Sequence, residues 1–195
     1  CYCAGRRTIA KPHPLLKEPD PMKKQLASLF AALLLALISS GAFAGEGKSI
    51  FFHLKTGLKH DDAQICVAYN EIWAALAEGL KVKVLVDAGA INTFKVGWRG
   101  KDDIENYKIP DNLRRALAEQ FTGGDLKTVP RTYGEFLNLL HEQGAEFYVN
   151  SSFLVVAKIE ERLGTVEHLS AKFFKPIGLK EMLRLRTSAD YYMVY

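Results

Sequence analysis

Two lysines, a threonine and a histidine follow the apolar run 49–54, in the segment 55–60. Ammonium groups, a hydroxyl and the N–H groups at the start of a helix are donors that bind small anions. The segment lacks the GxxxxGK[ST] spacing of a nucleotide-binding P-loop. The alternative is that both lysines are solvated and that Asp61 or Asp62 only caps the next helix. The candidate ligand-binding residues here are Lys55, Thr56, Lys59 and His60.

A second polar group, Asn150, Ser151 and Ser152, follows a later apolar run, where a strand gives way to a helix. Ligands bind beyond the carboxyl ends of parallel strands, so we expect this group to face the same pocket as segment 55–60. No GxSxG motif surrounds the serines, and no histidine spacing indicates a triad, so serine hydrolysis is not predicted. The alternative is that these side chains cap the helix.

The stretch from 88 to 110 shows no helical or strand periodicity and is long for a connection within one domain. It is therefore a functional loop, an interface, or a region whose elements the pattern does not reveal. Trp98 and Arg99 are its candidate ligand-binding residues.

Cys66 is the one cysteine after residue 44, so the domain that follows cannot contain an internal disulfide. Its place beside an inward helix position is typical of a small packed side chain, and the alternative is a reactive thiol. The later histidines show no HExxH or comparable spacing. We predict no metal site and no cofactor. Those histidines are His53, His60, His141 and His168.

Apolar runs alternate with helical patterns along the rest of the chain. Continuous apolar strands between helices predict a three-layer α/β/α sandwich with a mostly parallel sheet of about five strands. The pattern does not reveal the strand order. The predicted strands span 49–54, 81–87, 145–149 and 191–195, and the predicted helices span 61–79, 112–121, 132–143, 152–163 and 179–186.

Residues 22–44 have the charged, apolar and small-residue parts of a secretory signal, ending in Ala42-Phe43-Ala44. We expect cleavage after Ala44 and a periplasmic or secreted product, without a membrane anchor because the apolar part is too short to span a bilayer. Residues 1–21 are interpreted as an unstructured upstream extension, and 45–195 as one domain. Removing 1–44 leaves 20 basic and 20 acidic residues, so nucleic-acid binding is not predicted.

The order of elements, with IFFHLKTG, DAQICVAYNEIWAALAEGLKVKVLVDAGA and GAEFYVNSSFLVVAKIEERLG, resembles the DsrE-like sulfur-relay family. The resemblance implies a small α/β sandwich that assembles into homo-oligomers, often trimers or hexamers, and carries sulfur as a cysteine persulfide. The family's carrier cysteine stands at the end of the strand that here ends in Val149, and the matching residue is Asn150. An amide cannot form a persulfide.

The leading hypothesis is an exported DsrE-like protein that binds a small anion, a sulfur compound or a partner protein without a covalent step at Asn150. One alternative is persulfide transfer through Cys66. Another is a structural subunit whose aromatic-rich stretch at 88–110 packs against neighbouring protomers.

Overall fold

Strands and helices alternate along the computed structural model, which describes residues 47–97 and 103–195. In chain order the elements are β1 (Ser49–Leu54), α1 (Asp62–Ala77), β2 (Lys81–Val86), a 3₁₀ helix (Ala88–Thr93), α2 (Asp103–Asn106), α3 (Asp111–Phe121), α4 (Tyr133–Glu142), β3 (Glu146–Asn150), α5 (Ser151–Val156), β4 (Lys175–Ile177), α6 (Leu179–Ser188) and β5 (Tyr191–Val194).

The five strands form one sheet in the order β4-β3-β2-β1-β5, and every neighbouring pair is parallel. The predicted α/β class and parallel sheet are confirmed. The chain steps from β1 to β4 in one direction and then crosses back to β5 at the opposite edge. Right-handed crossovers in opposite directions place helices on opposite faces of a sheet.

The two faces of the sheet carry unequal hydrophobic cores. On one face, Phe52 and Phe147 pack with α1, α3, α4 and α5 in a large cluster that includes Trp73 stacked on Phe121 at 4.5 Å between ring centroids. On the other face, a small cluster of sheet side chains packs against Met182 of α6. No residue of α6 is fully buried, so the second helical layer is a thin one.

Two predicted helix starts are present in the structure. The Asp61 carboxylate accepts hydrogen bonds from the N–H groups of Ala63 and Gln64 at 3.1 and 3.4 Å, which caps α1. The Thr132 hydroxyl accepts from the N–H of Glu135 at 3.1 Å and caps α4. Side-chain oxygens in these positions satisfy N–H groups that have no partner within the helix.

The region after β3 differs from the prediction of a helix over 152–163. α5 ends at Val156, and Lys158 has a positive φ of 56°. The helical spacing predicts that Val156 and Leu163 point inward, but they are 73% and 67% exposed. The buried Glu160 carboxylate holds this loop by accepting from the N–H of His168 at 2.7 Å. β4 was not predicted, because three residues are too few to show a period.

The stretch from 88 to 110 contains the 3₁₀ helix and α2, which the periodicity did not reveal. Each is too short for two apolar repeats, and short turns of 3₁₀ helix are common as connectors. Across the described ranges, none of the helices combines the length and apolar character needed to cross a membrane.

Candidate functional site

A cleft of about 190 Å³ opens beyond the carboxyl ends of β1 and β2. We call it the cationic cleft, because three of its lining side chains are basic. Its walls come from three segments: the β1–α1 loop, the 3₁₀ helix with Lys95 just after it, and α2 with Tyr107 just after it. The side chains that line it are Leu58, Lys59, His60, Asn92, Thr93, Lys95, Ile104 and Tyr107.

Two glycines fix the floor of the cationic cleft. A Cβ added to Gly57 would lie 2.7 Å from the carbonyl oxygen of Gly89, so this backbone contact requires glycine. The N–H of Ala90 donates to the carbonyl of Lys55 at 3.0 Å, and the N–H of Leu58 donates to the Thr93 hydroxyl at 2.8 Å. These bonds join the β1–α1 loop to the 3₁₀ helix.

The backbone of segment 55–60 is largely occupied by internal hydrogen bonds. The N–H groups of Lys55 and Thr56 donate to the carbonyl of Tyr195, and those of His60 and Asp61 donate to the carbonyl of Gly57. An anion in this cleft would therefore be held chiefly by side chains and not by a cradle of N–H groups. Neither Lys55, which is exposed, nor Thr56 is among the lining residues.

The electrostatic character of the cationic cleft follows from its lining. Lys59, His60 and Lys95 contribute basic groups, and the described residues of the lining include no carboxylate. Clefts lined by charges of one sign with low-dielectric walls concentrate the field and attract the opposite charge. The geometry suits a small anion.

Asn150 lies elsewhere, in a chain of hydrogen-bonded side chains that crosses β5, β1, β2 and β3. The Tyr192 hydroxyl contacts His53 Nδ1 at 2.9 Å, and His53 Nε2 contacts Asp87 Oδ2 at 3.2 Å. Asn150 Nδ2 donates to Asp87 Oδ1 at 2.8 Å. We call these four residues the polar network. The ionised carboxylate of Asp87 can only accept, so Nε2 of His53 donates to it. In a neutral imidazole the other nitrogen, Nδ1, then accepts from the hydroxyl of Tyr192.

Asp87 is the charged centre of the polar network. The hydrogen bond from His53 lowers the pKa of Asp87 to about 2, with further lowering by Asn150 and the N–H of Ala88, against an opposing effect of burial. The carboxylate is thus anionic throughout the physiological range. It fixes the orientation of both His53 and Asn150.

Asn150 and Ser151 make their hydrogen bonds with other residues of the fold. Asn150 is only 7% exposed, and its Oδ1 accepts from the N–H of Phe153 at 3.2 Å, which caps α5. The Ser151 hydroxyl accepts from the N–H of Gly164 at 2.7 Å, and Ser152 is half-buried. The structure does not bring Asn150 into the cationic cleft. Trp98 and Arg99 lie outside the described residues.

Cys66 is half-buried and lines a separate cleft of about 180 Å³. Its sulfur accepts a weak hydrogen bond from Asn70 Nδ2 at 3.8 Å. Tyr133 lines the same cleft, and burial, with a smaller contribution from Cys66, raises the pKa of its hydroxyl. Tyr107 lines both this cleft and the cationic cleft, so the two are neighbours.

Several residues of these sites were not candidates from the sequence. Lys95 falls in the stretch without periodicity, and His53 and Asp87 belong to or follow apolar strands, where a single polar residue carries little signal. The position of Asp87, directly after β2, was the one available indication, because strand ends in parallel sheets carry binding groups. Within the described ranges, no group of three His, Cys, Asp or Glu side chains is placed to hold a metal ion.

Comparison with known proteins adds one structural similarity. The chain is similar to the crystal structure of the YchN protein from E. coli, with 14% sequence identity, a TM-score of 0.49, and coverage of 76% of this chain and 99% of that chain. No family model matches the chain. No curated protein matches it either. The fold class therefore rests on the parallel sheet and its two helical layers.

Proposed function

We propose that this chain is an exported DsrE-like protein that binds a small anion in the cationic cleft, with no covalent step at Asn150. The observation that supports binding is the clustering of Lys59, His60 and Lys95 in a lining whose described residues include no carboxylate. The amide of Asn150 is already hydrogen-bonded to Asp87 and to the N–H of Phe153, so we assign it a structural role.

The size and donors of the cationic cleft indicate the class of ligand. At about 190 Å³ it is smaller than the pockets of roughly 300–1,000 Å³ that hold drug-sized molecules. The Thr93 hydroxyl accepts from Leu58 but can still donate its own proton, and Asn92 adds an amide. Sulfite and thiosulfate fit this donor set and the sulfur chemistry that the sequence resemblance implies.

Calorimetric titration of the protein with thiosulfate, sulfite and phosphate tests the proposal. We expect Lys95→Gln to weaken binding of the preferred anion roughly tenfold, because a charge-assisted hydrogen bond is lost. Lys81→Gln is the matched control, since Lys81 is exposed at the amino end of β2, whereas the cationic cleft lies beyond the carboxyl end of that strand. Absence of binding below millimolar concentration, or equal loss in the control, would refute the proposal.

Export is part of the same proposal and has its own test. Expression of the full chain in a Gram-negative bacterium, followed by fractionation and mass spectrometry, should find a periplasmic product that begins at Gly45. A cytoplasmic product that retains residues 22–44 would show that this segment is not a cleaved signal.

Persulfide transfer through Cys66 is the second candidate, because the thiol lines a cleft that shares Tyr107 with the cationic cleft. The Cys66 thiolate would attack the outer sulfur of a donor persulfide, form a new S–S bond and release the donor as a thiolate. Iodoacetamide labelling separates the candidates. If Cys66 reacts only after denaturation, transfer is excluded and anion binding is unaffected.

A homo-oligomer, either a trimer or a hexamer, is the third element of the proposal. Val156 and Leu163 are 73% and 67% exposed beyond the short α5, and a neighbouring protomer could cover them. Multi-angle light scattering at micromolar concentration should report three or six copies. Leu163→Glu should shift the population toward monomer, while Glu161→Gln in the same loop should not; a wild-type monomer would contradict this element.

A further inference from the structure

Another cavity lies on the opposite face of the sheet from the cationic cleft, between the strands and α6. Its volume is about 170 Å³. The side chains that line it are Phe51, His53, Leu85, Met182, Leu183 and Arg186. We call it the α6 cavity. The cationic cleft is built from the other helical layer, so the two sites share no lining residue.

The walls of the α6 cavity are mainly apolar and aromatic. Phe51 and Leu85 form its floor on the sheet and are fully buried, and Met182 and Leu183 form its roof on α6. The His53 ring lies 6.1 Å from Phe51 between centroids. Both ring nitrogens of His53 are engaged, one by Tyr192 and the other by Asp87. His53 therefore offers the α6 cavity the face of its ring and no free hydrogen-bond donor.

Arg186 supplies the charge at the mouth of the α6 cavity. Its guanidinium lies 4.4 Å from the centroid of the Tyr192 ring, and it makes no hydrogen bond or ion pair with any residue that the structure describes. The carboxylate of Asp190, four residues further along the chain, accepts from the N–H and hydroxyl of Ser49 at 2.7 and 2.9 Å. Arg186 thus keeps its planar set of N–H donors for a group outside the fold.

The geometry points to a small aromatic carboxylate as the ligand of the α6 cavity. The ring would lie among Phe51, Leu85 and Met182, where sulfur and aromatic edges make favourable contacts. The carboxylate would pair with Arg186, whose fork of donors matches two oxygens. A cavity of about 170 Å³ limits the ligand to a single ring with a short acidic substituent.

Titration of the full chain with benzoate tests this site by NMR of methyl-labelled methionine. Met182 lines the cavity, whereas Met193 on β5 belongs to the hydrophobic core on the opposite face and serves as an internal control. Benzoate should shift the Met182 methyl signal in a saturable manner and leave Met193 unchanged. Benzyl alcohol, which has the ring but no charge, should bind at least several-fold more weakly, and benzylamine more weakly still.

Arg186→Met keeps an apolar stem and removes the charge, and Arg184→Met is the control on an exposed position of the same helix. We expect Arg186→Met to raise the benzoate Kd roughly tenfold or more and Arg184→Met to leave it within twofold. An unchanged Met193 signal shows that each variant is folded. Equal Kd values for Arg186→Met and wild type, benzylamine binding as tightly as benzoate, or an α6 cavity closed by self-association would overturn the inference.

Discussion

At the scale of single residues, the Asp87 carboxylate is the common acceptor of the polar network at the carboxyl ends of the strands. Its two oxygens accept from His53, Asn150 and the N–H of Ala88, and the pKa of its carboxyl falls to about 2. Because the folded pKa lies below the unfolded value of about 3.9, this carboxylate stabilises the fold above that value. The stabilisation is lost as the pH falls toward 2.

We expect Asp87→Asn to lower the free energy of unfolding at pH 7 by about 1–2 kcal/mol, since one charged acceptor of three hydrogen bonds is removed. Urea unfolding followed by tryptophan fluorescence at several pH values measures the difference in the free energy of unfolding. The difference in the free energy of unfolding between wild type and variant should become smaller below pH 4 and nearly vanish at pH 2. Asp111→Asn, at a 78% exposed side chain paired with Arg114, should change stability little at any pH.

At the scale of elements, the contact between the β1–α1 loop and the 3₁₀ helix determines the cationic cleft. Gly57→Ala should destabilise the protein by about 1–3 kcal/mol, because the added methyl would meet the backbone of Gly89, next to the hydrogen bond between the N–H of Ala90 and the carbonyl of Lys55. The same variant should weaken thiosulfate binding. Gly178→Ala is the control: its Cβ would meet nothing within 4 Å, so urea unfolding should show only the small loss, below about 1 kcal/mol, that alanine causes at the N-cap of α6.

The same elements show what the sequence could and could not predict. β1, β2, α1 and α4 were predicted because apolar periods and capping residues act locally, as at Asp61 and Thr132. The end of α5 was not predicted, because the apolar spacing continues to Leu163, whereas the chain turns at Lys158, which has a positive φ of 56°. The polar network was missed because it joins residues on, or directly after, four strands whose order only the folded sheet defines.

At the scale of the whole molecule, the sheet separates a thick core from a thin one. The large cluster joins the five helices α1 to α5 to one face, whereas α6 is the only helix within the described ranges that covers the other face, with half-buried Met182 and Leu185. Local stability follows the amount of buried apolar contact. The α6 layer should therefore open more easily than the rest of the domain, which would also give small molecules access to the α6 cavity.

Native-state hydrogen exchange tests this difference between the layers. We expect the amides of α6 to exchange through local opening, with an opening free energy at least about 1–2 kcal/mol below that of β1 and β2. Met182→Ala should speed exchange in α6 without changing exchange in α4, because Met182 contacts only the small core. Saturating benzoate should slow exchange in wild-type α6, since a ligand of the closed state opposes opening. If α6 amides exchange only with global unfolding, the thin layer is as stable as the thick one and access to the α6 cavity requires another route.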